Sequence, residues 1–223
     1  MLMTRSPSNY SNKTLRSELA HAAARLVAEG EVPNFASAKR KASANLGIAH
    51  SRNLPDNLEV QQALIDYLKL FEGERYYWRM RSMRSEALAA MQVFEQFSPR
   101  LVGPVLYGSA VSYSPITMHL YTDELESVTR FLHDSKINYQ LDNTRLKISR
   151  ERYEDFPTYW VINQQREYEL VVFSENFITH PPLSALDGRR YRRADVGALR
   201  RVIDESEIVE RFDAVREPDR SEP

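Results

Sequence analysis

Leu101-Val102-Gly103-Pro104-Val105-Leu106-Tyr107-Gly108-Ser109, followed six residues later by Ile116-Thr117-Met118-His119-Leu120-Tyr121, is the stretch on which the fold turns. Both runs are rich in aliphatic and β-branched residues and are bounded by turn formers, so Leu101–Tyr107 and Ile116–Tyr121 are expected as strands joined through a Gly-Ser turn. Alternate residues of a strand share a face, which puts His119 and Tyr121 side by side.

Upstream of Pro99 the pattern is helical. Leu15, Leu19, Ala22, Ala23, Leu26 and Val27 recur at three and four, and Gly30 is placed to end that helix. A second helix is expected over Phe35–Leu46, ending at Gly47. A third opens at Pro55-Asp56 with Glu59 completing an acidic capping box, and a fourth over Glu74–Phe97 carries Tyr76, Met80, Met83, Ala87, Met91 and Phe94 on one stripe. Downstream, Asp123–Asp134 reads as a helix. Ile137–Leu141, Thr144–Ser149, Tyr159–Asn163 and Tyr168–Phe173 read as strands, with Asp142-Asn143 as a two-residue hairpin turn. A last amphipathic helix carries Val196, Leu199, Val202 and Ile203. Helices first and then a run of mostly antiparallel strands argue for an α+β fold. The expected organisation is a basic helical region over 1–98, an α/β domain over 99–204 and an acidic, flexible tail over 205–223.

At 223 residues and 42% hydrophobic content the chain can bury a core without staples. It has no cysteine, which excludes disulfides, thiolate zinc sites and cysteine nucleophiles. No apolar run is long enough for a membrane span and Met1–Tyr10 lacks a signal-peptide core, so the expectation is a cytoplasmic protein without a membrane partner. The net charge of −1 conceals an asymmetry. Met1–Leu54 has eight Lys and Arg against three acids, whereas Val202–Pro223 has eight acids against three Arg. The basic end is either an ordinary solvated surface or a face for nucleic acid.

The segment Leu106-Tyr107-Gly108-Ser109, nine residues, then His119-Leu120-Tyr121 resembles the signature of the nucleotidyltransferase superfamily. In that signature a strand and a Gly-Ser turn precede a second strand bearing two carboxylates at alternate positions. The wider pattern, with Pro181-Pro182-Leu183-Ser184, Asp187-Gly188 and Arg193-Ala194-Asp195, is similar to uncharacterised proteobacterial proteins with nucleotidyltransferase-like domains. Some of those carry the label UDP-N-acetylmuramate alanine ligase. That label does not suit this chain, which has no Gly-Lys pair for a phosphate loop and is too short for three domains. The resemblance implies a mixed sheet with flanking helices, and a cleft in which two carboxylates plus a third from a later strand hold two Mg²⁺ ions about 4 Å apart for in-line attack.

Here the frame persists and the chemistry changes. His119 and Tyr121 occupy the paired-carboxylate positions, and neither is a hard oxygen ligand. Glu169, in an otherwise apolar strand, matches the third carboxylate. The expectation is a catalytically degenerate domain, a pseudoenzyme, that binds nucleotide or RNA. In it Gly108 and Ser109 hold phosphate, His119 and Tyr121 line the ligand, and Arg190 or Arg193 supply counter-charge. Two alternatives stay open. One is an active transferase that recruits Asp123 or Glu124 to join Glu169 and requires Mg²⁺; the other is a non-catalytic module for a protein partner. No other cofactor is implied.

Other constellations carry less. His21, His50, His119, His133 and His180 are scattered without metal-ligand spacing. His119 has a second reading as a catalytic base. Arg75-Tyr76-Tyr77-Trp78-Arg79-Met80-Arg81 with Arg84 mixes cations and aromatics, but these residues spread around the whole helix. Packing of the aromatics, with solvated or paired arginines, is the simpler reading. Arg189, Arg190, Arg192 and Arg193 either bind phosphate or pair with the acidic tail.

Overall fold

The computed structural model describes the backbone of residues 7–47 and 54–216 and the side chains of 13–47 and 54–206; His50, Arg52 and residues 217–223 of the expected acidic tail lie outside the described residues. The fold is α+β, with an N-terminal helical region followed by a five-stranded mixed sheet. The chain divides into two compact units, Met1–Tyr76 with Ala185–Gly188, and Tyr77–Ser184 with Arg189–Pro223.

The first unit is built from α1 (Pro7–Ala28), α2 (Phe35–Asn45) and α3 (Asn57–Glu72). Leu19, Ala23, Leu26, Ala38, Ala42 and Val60 form its core. Small residues on α1 and α2 let the helices approach closely. The capping box forms as its residues dictate. The Asp56 carboxylate accepts from the Glu59 amide at 2.9 Å, and the Glu59 carboxylate accepts from the Asp56 amide at 2.7 Å. Arg16 donates to the same Glu59 at 2.7 Å, tying α1 to the start of α3. Gly30, at φ 73°, ends the first helix segment as the sequence implies.

In the second unit, α4 (Glu74–Val93) buries Met80, Met83, Ala87 and Met91, and a single 3-10 turn at Glu95–Phe97 completes the stripe. The sheet order is β1 (Arg100–Val102), β2 (Ile116–Tyr121), β5 (Arg166–Phe173), β4 (Tyr153–Asn163) and β3 (Tyr139–Lys147). β2 and β5 are parallel and the other pairs antiparallel. Ile116, Met118, Leu120, Leu170 and Val172 alternate onto one face and are buried. On that side α6 (Leu125–Asp134) contributes Val128 and Leu132, and its Thr129 hydroxyl lies 2.7 Å from that of Tyr159.

Three local expectations are corrected. The run Leu101–Tyr107 is not one strand; it is the three-residue β1 followed by the short helix α5 (Gly103–Tyr107). Gly103 at φ 74° turns the chain and Pro104 suits a first helical turn, while Leu101, Val102, Val105 and Leu106 are buried on either pattern. Asp142-Asn143 is not a turn but the middle of β3, where the Asn143 amide donates to the Asp142 carboxylate at 2.7 Å. A two-residue turn of this kind favours glycine second, which is missing, and an edge strand tolerates polar residues. The chain reverses instead between Ile148 and Arg152, whose backbone groups bond at 2.9 Å. Finally, α7 (Val196–Arg216) continues beyond residue 204 into the stretch read as tail.

Candidate functional site

The strand register assembles the site on the sheet face opposite α6. Partners across the ladder share a face, so Val102, Thr117, Glu169, Trp160 and Gln140 form one row across β1, β2, β5, β4 and β3. The next row is Arg100, His119, Val171, Thr158 and Asp142. Beyond it Tyr121 and Phe173 pair. These rows differ in exposure. His119, Val171, Thr158, Tyr121 and Phe173 are buried, the last two in an apolar cluster with Phe156. Thr117, Glu169 and Trp160 are half-buried, as are Gly103, Tyr107, Thr144 and Tyr191.

Glu169 is the chemically distinct member. Burial raises its carboxyl above the ordinary range, and hydrogen bonds from the Thr117 and Thr144 hydroxyls pull the other way. The Thr117 hydroxyl donates to Oε2 at 2.9 Å, and the Thr144 and Thr158 hydroxyls are 2.8 Å apart. Tyr191 stands close enough to feel this carboxylate; burial first, then Tyr107 and Glu169, push its phenol up to about 12. A Cβ at Gly103 would lie 3.8 Å from Thr117, an ordinary contact, so it is the left-handed φ of 74° that favours glycine beside this row.

The other expected site residues are placed as follows. Gly108 is the left-handed cap of α5 at φ 87°, and the amides of Gly108 and Ser109 donate to the Pro104 carbonyl at 2.9 and 3.0 Å. Ser109 is 4% exposed. These two amides thus close a helix, and the cradle of backbone donors expected at this turn is spent on Pro104. His119 packs its ring 4.6 Å from Phe173 and 5.1 Å from Tyr191, and its buried Nδ1 has no partner among the described residues. Burial, reinforced by the positive charge of Arg193, lowers its pKa to about 3. A ring so desolvated stays neutral, a structural place rather than that of a base poised near neutrality.

Arg193 donates to the Tyr121 hydroxyl at 2.6 Å and to the Phe177 and Ile178 carbonyls at 3.1 and 2.7 Å. It locks the segment 189–194 onto the 3-10 turn Glu175–Ile178. That segment also bonds β1 through Leu101 and Ala194 at 2.8 and 3.0 Å. Arg190 is exposed, with one bond to the Pro181 carbonyl at 3.4 Å. Arg192 is exposed too, and its carbonyl accepts from the Tyr107 hydroxyl at 3.2 Å.

Asp123 and Glu124 do not join Glu169. The Asp123 carboxylate accepts from the Glu175 amide at 3.0 Å, and Glu124 pairs with Arg130 at 3.0 Å. β2 ends at Tyr121 opposite Phe173, four residues beyond Glu169, which is about 13 Å along the sheet at roughly 3.3 Å per residue, and Asp123 lies past that strand end. Reading the sequence for acids on β2 missed Glu167. It alternates with Glu169 on β5, sits opposite Ile162 and is exposed. The spacing Glu167-Tyr168-Glu169 was the available signal; the paired acids of the signature were sought one strand away. Among the described residues no three acids, histidines or cysteines gather as a metal-binding group.

Of the cationic helix residues, Arg84 is buried, donating to the Val105 carbonyl at 3.2 Å and to the Ser206 hydroxyl, and Arg79 donates to the Ala110 carbonyl at 3.3 Å. Trp78 is 65% exposed. No helix among the described residues is long and apolar enough to cross a membrane.

No family model and no curated protein matches the chain. Among solved structures it matches Cid1 in complex with the UTP analogue UMPNPP, at 12% identity and a TM-score of 0.30, over 52% of this chain. The match spans 38% of that protein, well under two thirds of its length.

Proposed function

We propose that this chain is a catalytically degenerate nucleotidyltransferase-like protein that holds a nucleotide, free or at the end of an RNA, without transferring it. One observation carries the reading. The three residues that β2 presents beside β5 are Thr117, His119 and Tyr121, none a carboxylate, while β5 retains Glu169 on the same face. Two-metal catalysis needs several hard oxygen ligands converging on one point. This face offers Glu169 ringed by threonine hydroxyls, with only the exposed Glu167 near it on the same strand. Half-buried Trp160, Tyr107 and Tyr191 supply flat surfaces for a base, and exposed Arg190 and Arg192 supply charge for phosphate. Residues 1–98 act as an accessory surface and 99–204 as the binding domain.

The test combines equilibrium dialysis with a transfer assay, using each α-labelled nucleoside triphosphate with Mg²⁺ or Mn²⁺, bacterial RNA and protein. Retained nucleotide with no label transferred is the expected result. Transfer that disappears in Glu169→Gln would establish a working transferase instead. Absence of binding by every nucleotide and by RNA would leave a protein-interaction module.

A further inference from the structure

We propose that the half-buried row Thr117–Glu169–Trp160 recognises the hydrogen-bonding edge of guanine, with the base stacked on Trp160 and its N1–H and N2–H donated to the Glu169 carboxylate. The inference deepens the nucleotide-binding reading and rests on it.

The first ground is placement. Trp160 is the direct cross-strand partner of Glu169, and such partners hold their Cβ atoms about 5 Å apart on one face. An aromatic plane and an acceptor thus stand side by side, both reachable from solvent. Tyr191, in the segment 189–194, stands near both Glu169 and Tyr107, and the Tyr107 hydroxyl donates to the Arg192 carbonyl.

The second ground is what Glu169 lacks. An ionised carboxylate offers about four lone-pair sites and no donor. Two threonine hydroxyls address it, and among the described residues no Arg, Lys or His acts on it. A partly desolvated carboxylate in this state gains most from a ligand bringing adjacent N–H donors.

The third ground is selectivity. Guanine presents two adjacent donors on one edge. Cytosine and adenine each present an amino group beside an acceptor nitrogen, and uracil presents one N–H between two carbonyl oxygens that a carboxylate repels. A site built around a buried acceptor rejects edges that leave it unpaired. Exposed Arg190 and Arg192 flank Tyr191 in the chain, so a bound nucleotide would set its base against Glu169 and its phosphates toward those cations.

The experiment uses the full chain carrying Trp78→Phe, which leaves Trp160 as the sole tryptophan, and titrates guanosine, inosine, adenosine, cytidine, uridine, their 5′-triphosphates and tripolyphosphate by fluorescence and calorimetry. Guanosine is expected to bind at least tenfold more tightly than uridine and to change Trp160 emission. Inosine, which lacks the N2 amine, should bind several-fold more weakly than guanosine. In Glu169→Gln the guanosine preference should shrink below threefold, with an unchanged melting temperature marking an intact fold. Equal binding of all nucleosides, or binding of tripolyphosphate and nucleotides without base preference, overturns the guanine assignment while the nucleotide-binding reading survives. A guanosine preference that persists in Glu169→Gln, or that leaves Trp160 silent, overturns the placement. No binding of any probe removes both readings.

Discussion

His119 and Glu169 lie one row apart on the same sheet face, and burial moves their pKa values in opposite directions. Burial disfavours the imidazolium and the carboxylate alike, so the histidine pKa falls to about 3 and the glutamate pKa rises. For His119 the unfolded value is near 6.5 and the folded value is lower. Its contribution to stability is therefore complete above pH 6.5 and drains away as the pH falls towards 3. We expect this one residue to cost on the order of 4 kcal/mol by pH 3. Urea titrations across that range should show His119→Phe with a flatter stability profile than the wild type; parallel profiles would mean the ring is hydrated. Arg193 illustrates the reverse case, a cation made structural by acceptors. Arg193→Ala strands two carbonyls and the Tyr121 hydroxyl, and should lower stability by about 2–3 kcal/mol in thermal or chemical unfolding. Arg190→Ala, on the exposed side of the same segment, should leave stability within about 0.5 kcal/mol. Sequence could name both arginines as counter-charges, yet only burial separates the one that is occupied from the one that faces solvent.

At the scale of elements, helices were legible where capping chemistry and periodicity agreed. Asp56 and Glu59 announced α3, Gly30 ended α1, and Asp56→Ala should cost about 1 kcal/mol by removing the bond that the Asp56 carboxylate accepts from the Glu59 amide. Legibility failed where two patterns share the same apolar residues. Leu101–Tyr107 alternates well enough for a strand and clusters well enough for a helix turn. Gly103 and Gly108, at φ 74° and 87°, decide in favour of β1 plus α5. Alanine at Gly108 would be forced into a left-handed backbone, so a loss of about 1–2 kcal/mol is expected in denaturant melts, with no loss if the cap relaxes. The hairpin misreading at Asp142-Asn143 has a different origin. A polar pair in the middle of a strand looks like a turn unless the strand is known to be an edge, and edge position is a property of the sheet. Hydrogen exchange should follow it, with β2 and β5 amides the slowest and Tyr139–Asn143 of β3 among the fastest in the sheet.

Across the whole molecule, the sequence by itself determined the fold class, the helical N-terminal region, the absence of any cysteine chemistry and the presence of one acid, Glu169, in an otherwise apolar strand. Each is a local matter of composition, periodicity or residue type, and local physics suffices for it. The tertiary structure alone decided which residues share a site. Parallel pairing of β2 with β5 set Thr117, not an acid, beside Glu169, and the same register left Asp123 beyond the strand end, bonded to the Glu175 amide. It also placed Trp160 next to Glu169 from a strand whose partner could not be inferred, because strand order follows from long-range packing rather than from any property of the strand itself. The proline-capped bend at Gly103-Pro104 and the anchoring of Arg193 are of the same kind: residue types visible in the sequence, whose roles depend on what the folded chain brings against them.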